Sequence, residues 1–153
     1  MSLTDNMTLA LADSETLASF CQARYSKEQT VQLGVDLDNL PPESDFPIIM
    51  VGVVGGREGR AVDNQSAQFV ITCGILDESD PVVSGRLKKY RQIADLEEFR
   101  LLVVAVIEAG DLAGGYVSDV EIENDPLELF PIFSTNMVVT ILYPTPLRGR
   151  WEK

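Results

Sequence analysis

The residues with the clearest chemical potential are four carboxylates at two-residue spacing: Asp119, Glu121, Glu123 and Asp125. In a strand this spacing places all of them on one face, because successive side chains alternate. Oxygen-rich clusters of this kind suit hard cations such as calcium or magnesium. The D-x-D-x-D-G loop that usually shapes such a site is missing, so a solvated strand face is the simpler expectation. A second feature is the glycine cluster Gly52, Gly55, Gly56 and Gly59, which follows an apolar run and superficially suggests a phosphate loop. It lacks a GK[ST] ending and is followed by another strand pattern rather than a helix start, so a hairpin tip is expected instead. A third is the basic patch Arg86, Lys88, Lys89 and Arg91, which could meet phosphates or the acidic edge of a partner but is read first as local charge balance. Cys21 and Cys73 both sit in apolar surroundings and are expected to be buried free thiols.

Histidine is absent from all 153 residues. That removes the commonest general base and metal ligand, and with it any Ser-His-Asp or Cys-His arrangement. No catalytic, cofactor or metal residue is therefore assigned. The formal net charge of −12 argues against nucleic-acid binding and against anionic membrane surfaces. No run reaches transmembrane length and no basic-apolar leader opens the sequence, so the expected compartment is the cytoplasm.

The elements that must position these groups follow from periodicity. Length predicts one domain over residues 1–153, with 1–12 and 147–153 as mobile ends. A first helix is expected from Asp13 or Ser14 to about Ser26, with Leu17, Phe20, Cys21 and Tyr25 on its apolar face. Residues 30–37 alternate as a half-buried strand, and a proline-broken loop follows. Ile48–Val54 is apolar on both faces, which predicts a central strand. Residues 55–65 are expected to form an exposed connection to a third strand, Gln68–Leu76. A polar stretch, 77–86, and a short extra turn, 87–92, lead to the most apolar segment, Asp95–Gly110.

That segment is predicted to be a helix capped by Asp95, with Glu98 completing a capping box and Gly110 as a left-handed stop. It carries seven consecutive apolar residues, Leu101 to Ile107, so it needs cover on more than one side. Leu96, Phe99, Val103, Val106 and Ile107 form one stripe; Leu101, Val104 and Ala105 widen it. Those flanks lie either under the first helix or against a neighbouring subunit. Two further strands, Tyr116–Glu123 and Phe133–Tyr143, close the pattern. The predicted fold is α+β in two layers, order α-β-β-β-α-β-β. It has about five strands in a mostly antiparallel sheet, with room for a mixed pair, and two main helices on one face.

This layout resembles the bacteriophage tail terminator (tail-completion) proteins, the family of the lambda minor tail protein U and related prophage proteins. The resemblance rests on the opening helix 14–26, P-I-I-M-V at 47–51, F-V-I-T-C-G-I at 69–75, the helix L-E-E-F-R-L-L-V-V-A-V-I, the G-G-Y-V-S-D-V-E-I strand, and P-I-F-S-T-N-M-V-V-T-I-L-Y-P at 131–144. It spans nearly the whole chain as element order and hydrophobic texture. It implies a non-enzymatic virion protein without cofactor. Such a protein forms a hexameric ring that caps the tail tube, halts its growth and offers a surface to a head-completion protein. It would accumulate in the host bacterial cytoplasm. Under that resemblance the exposed connection and the tail are the expected contact surface: Gly56, Arg57, Glu58, Arg60 and Asp63, with Arg148, Arg150 and Trp151. An acidic lumen would repel DNA phosphates and let the genome pass. Two other classes stay open: a small-molecule-binding α+β domain, and a histidine-free carboxylate enzyme.

Overall fold

The computed structural model describes residues 2–34, 41–58, 64–123 and 131–144. Ser2 opens the first helix, α1 (Leu3–Ala12): the Asp5 amide donates to its Oγ at 3.1 Å. Residues 3–12 are thus a helix, not the mobile lead-in expected over 1–12. Met7 and Leu11, four apart, are both buried and give it the core contact it needs. Ser14 caps α2 (Glu15–Tyr25), accepting from the Leu17 amide at 3.2 Å, and Ser26 ends it in the left-handed conformation at φ 56°. This helix lies where periodicity placed it, with Leu17 and Cys21 fully buried.

Strand β1 (Thr30–Leu33) runs parallel to β2 (Ile48–Arg57), with Thr30 opposite Ile48. The connection between them exceeds a dozen residues, long enough for the chain to return and start again in the same direction. Antiparallel neighbours follow: β2 with β3 (Asn64–Leu76), β3 with β7 (Ile132–Pro144), and β7 with β6 (Tyr116–Ile122). The sheet order is β1-β2-β3-β7-β6, so the last strand in sequence lies inside the sheet and β6 at its rim. Along β7 buried and half-buried residues alternate from Phe133 to Ile141, the mark of a sheet covered on one face. The fold is α+β, with a mostly antiparallel five-stranded sheet and one separate ribbon, β4 (Val82–Ser84) and β5 (Leu87–Lys89). The ribbon corrects the expected polar stretch and extra turn over 77–92.

Helix α3 (Arg91–Ala109) packs on β3, β6 and β7, and α1 and α2 pack beside it. Leu96, Phe99, Val103 and Ile107 face the sheet, each at most 7% exposed. Phe20 of α2 stacks on Phe99, centroids 5.9 Å apart and planes within 7°. The expected caps of this helix do other work. It starts five residues earlier, at Arg91, and Tyr90 in place of Asp95 is its N-cap, without a side-chain cap bond. Asp95 and Glu98 instead receive the two ends of the Arg24 guanidinium, at 2.6 and 2.8 Å, which ties α2 to α3. Gly110 is extended (φ −84°, ψ −179°), not left-handed; positive φ appears later, at Ala113 and Gly114. Of the three flank residues, Val104 is half-buried, while Leu101 and Ala105 are exposed.

One charge inside the core is paired locally. Arg100 is 6% exposed, and its Nε donates to Glu97 Oε2 at 3.2 Å while Nη2 meets Oε1. That hydrogen bond holds the Glu97 carboxyl below its ordinary value, against a smaller opposing effect of burial.

Candidate docking surfaces

The β2–β3 ribbon carries the first group of predicted contact residues. Burial along β2 falls away after Val51, leaving Val53 63% and Val54 57% exposed. The register shifts between Val53 and Gly55, a bulge that lets the strand run on to Arg57. Gly56 and Arg57 are therefore paired strand residues, opposite Ala67 and Ser66, and not part of a free tip over 55–66. Gly56 has a packing role: a Cβ there would run into the Ser66 carbonyl oxygen and sit 3.3 Å from the Ala67 Cα. Arg57 is exposed, and Glu58, just beyond the strand, accepts from the Tyr143 hydroxyl at 3.4 Å. Burial, and then Glu58, keep the Tyr143 phenol above its ordinary pKa. Arg60, Asp63, Arg148, Arg150 and Trp151 lie outside the described residues.

Since pairing runs to Arg57, a shortening that spares the fold must begin at Glu58. Replacing residues 58–63 by Asn-Gly is expected to keep the melting transition cooperative and change stability by no more than about 1 kcal/mol. Thermal denaturation followed by circular dichroism checks this.

Against the outer part of this ribbon lies a pocket of about 560 Å³. Val53 and Phe69 supply apolar wall, the amino end of α1 contributes Ser2 and Thr4, and Glu58 and Tyr143 also line it. Its size is within the range of small-molecule sites.

The acidic strand face is placed as its spacing implied. Asp119 pairs with Thr140 and Glu121 with Val138, so both project from the sheet face opposite the helices. They and Glu123 are exposed; Asp125 lies outside the described residues. Among the described residues no group of three or more acids or cysteines converges as a metal site.

The basic patch divides in two. Arg91 is anchored: its Nη2 donates to Ser79 Oγ at 2.9 Å and lies 3.8 Å from Asp77, beside the buried Gln92, whose amide donates to the Ser79 carbonyl at 2.8 Å. Arg86, Lys88 and Lys89 ride on the β4–β5 ribbon, where every residue from Val82 to Lys89 is exposed. Lys88 Nζ lies 5.7 Å from the Tyr90 ring centre. Gly85, at φ 60°, takes the first central position of the two-residue turn, as a II′ hairpin requires. Sequence reasoning missed the apolar members of this ribbon, Val82, Val83 and Leu87. The signal was Val-Val-Ser before Gly85 and Leu-Lys-Lys after Arg86: two three-residue runs around a Gly-Arg dipeptide.

Cys21 and Cys73 are buried free thiols, each pushed up to about 12 by burial. Since the thiolate is the reactive form, neither is suited to nucleophilic work. Alkylation by iodoacetamide at mildly alkaline pH is expected to leave both unmodified in the native protein and to modify both in denaturant. Intact mass spectrometry reads the difference.

Among the described residues no helix is long and apolar enough to cross a membrane. The sequence matches no protein-family model and no curated protein.

Proposed function

We propose that this chain is a non-enzymatic structural subunit that acts by docking, in the manner of a phage tail terminator. In that role copies assemble into a ring, hexameric by the family resemblance. The ring caps the tail tube, ends its polymerisation and presents a surface to a head-completion protein. The observation that supports a docking role is where large apolar side chains remain exposed. Val53 and Val54 lie on the outer part of one ribbon, and Val82, Val83 and Leu87 on another. Apolar surface carried on projecting strands suits contact with another protein chain. The element order adds to this, because it retains the strands and the apolar helix on which the resemblance rests. With a net charge of −12, the inner wall of such a ring would repel DNA rather than hold it. The host bacterial cytoplasm is the site of assembly in this reading.

The experiment is capping. Purified protein is added to tail tubes polymerised from the tube protein encoded in the same gene neighbourhood, and the ends are imaged by electron microscopy. Rings seated on tube ends and an arrest of tube growth are expected. Tubes that keep growing, or a neighbourhood without tail genes, count against the reading.

The pocket lined by the β2–β3 ribbon favours one alternative, a small-molecule-binding domain. Ser2, Thr4, Glu58 and Tyr143 give it a few converging polar groups over an apolar wall. A ligand that raises the melting temperature of the wild type but not of a Val53→Trp variant would support that alternative.

A further inference from the structure

We infer that the β4–β5 ribbon is a docking arm and that its receptor is the rim strand β6 on a second copy of this chain. Three observations carry this. First, the arm is uncovered. Val82, Val83 and Leu87 are 58%, 65% and 63% exposed, and the ribbon packs substantially on no other element among the described residues. A two-stranded ribbon of three residues a side is marginal in water by itself, so apolar side chains on it call for a covering surface. Second, the arm is basic in an acidic chain. It concentrates Arg86, Lys88 and Lys89 within eight residues that contain no acid, whereas the whole chain has 12 basic residues against 24 acidic ones. Third, the same molecule presents a surface of opposite charge along an outer strand. Among the described residues β6 is the outermost strand on its side of the sheet. Asp119 and Glu121 project from one face with Tyr116, which is 59% exposed; Glu123 follows, and Ile122, on the other face of the strand, is 45% exposed.

The chemistry of the joint follows from these parts. An edge strand offers unpaired ladder groups that a short extended segment can join by main-chain hydrogen bonds. The arm has two such strands. Laid along β6 as an added strand, it can set Val82, Leu87 and Lys89, which share one ribbon face, beside Tyr116 and the acids Asp119, Glu121 and Glu123, and Val83 beside Ile122 on the other face. Apolar burial supplies the affinity. Exposed ion pairs are individually weak, so the charges set orientation and rate. Donor and receptor are different surfaces of one chain. A reciprocal exchange therefore closes a dimer, and a one-way exchange propagates into a ring or filament. The contact would be the protomer joint of the terminator reading, but it rests on the arm and the rim alone and is tested without any tail tube.

The test is solution mass by sedimentation and light scattering, from micromolar to near-millimolar protein. The wild type is expected to associate, and association should weaken by about tenfold between ~50 mM and ~500 mM salt. An arm variant, Lys88→Glu with Lys89→Glu, and a rim variant, Asp119→Lys with Glu121→Lys, should each lose association by about tenfold or more. Mixing the two variants should restore it, because each then finds its complement. All four positions are exposed, and circular dichroism establishes that both variants are folded. An apolar variant, Val83→Ser with Leu87→Ser, should also weaken association, now without a change in salt dependence. A wild type that stays monomeric throughout overturns the proposal. So does association that survives both charge reversals, or that the mixture fails to restore. A monomer whose arm instead retains a poly-glutamate peptide would assign the arm to a foreign acidic partner, which also overturns docking between copies. Failure to cap tubes with intact self-association would count against the terminator reading alone.

Discussion

Val103→Asp is expected to abolish the folded state. Val103 lies on the sheet-facing stripe of α3, between Phe99 and Ile107, and has no exposed surface. A carboxylate there would lose its water without gaining a partner, at a cost of several kcal/mol, and the lost packing adds to it. A domain of this size has about 5–15 kcal/mol of stability in total. The neutral form would still bury an unsatisfied hydroxyl and carbonyl, so acid would not rescue the variant. Far-ultraviolet circular dichroism and gel filtration should show loss of cooperative melting and an expanded or aggregated chain. Leu101→Asp, on the same helix two residues earlier, is the control. Leu101 is 54% exposed, so this change should stay within about 0.5 kcal/mol of wild type. The contrast between the two tests which face of α3 is core.

That contrast also marks how far periodicity reaches. Leu96, Phe99, Val103 and Ile107 could be read as a buried stripe because a sheet-packed helix repeats its contacts every three to four residues. The strand at 133–143 was legible for the analogous reason, a sheet covered on one side. What could not be read was anything set by a residue distant in sequence. Asp95 and Glu98 look like a capping box, but their partner is Arg24, some seventy residues away, and the true helix start is held by Gln92 and Arg91 on the 77–79 segment. The parallel pairing of β1 with β2 is likewise a matter of how the chain returns, not of strand composition. Helix α1 was hidden for another reason. Thr, Asp and Asn between Leu3, Met7 and Leu11 are poor helix formers, and Ser2 capping with core packing outweighs them.

The candidate contact residues show the same division. Glycines at 55 and 56 read as flexibility, whereas a bulge and a close backbone approach use them as strand residues. Arg57 and Glu58 are exposed at the ribbon end as expected. The arm escaped notice because its strands are only three residues long, below the span at which alternation becomes a signal. Its apolar members become visible once the structure shows that no other element among the described residues packs substantially on them.

Gly115→Val is expected to be the most damaging substitution at a position without a core side chain. Gly115 leads into β6 and packs against the far end of β7. A Cβ there would overlap the Leu142 carbonyl oxygen and lie 2.6 Å from the Tyr143 Cβ and 2.8 Å from the Tyr143 Cα. Two of these obstacles are backbone atoms, which cannot swing aside as a flexible side-chain end could. Relief requires β6 to lift from β7 where Tyr116 pairs with Leu142 and Val117 with Ile141. Overpacking of this kind costs about 1–3 kcal/mol, and rigid backbone puts this site at or above the upper end. Gly85→Ala is the comparison. Nothing lies within 4 Å of its Cβ position, and its φ of 60° imposes a strain of about 1–3 kcal/mol that stays local to the ribbon turn. Hydrogen exchange should show amides of β6 and the adjoining half of β7 losing protection in Gly115→Val, with β2 and β3 little changed. Because β6 is also the proposed receptor for the arm, this variant should self-associate less than wild type even at temperatures where the remaining sheet is intact.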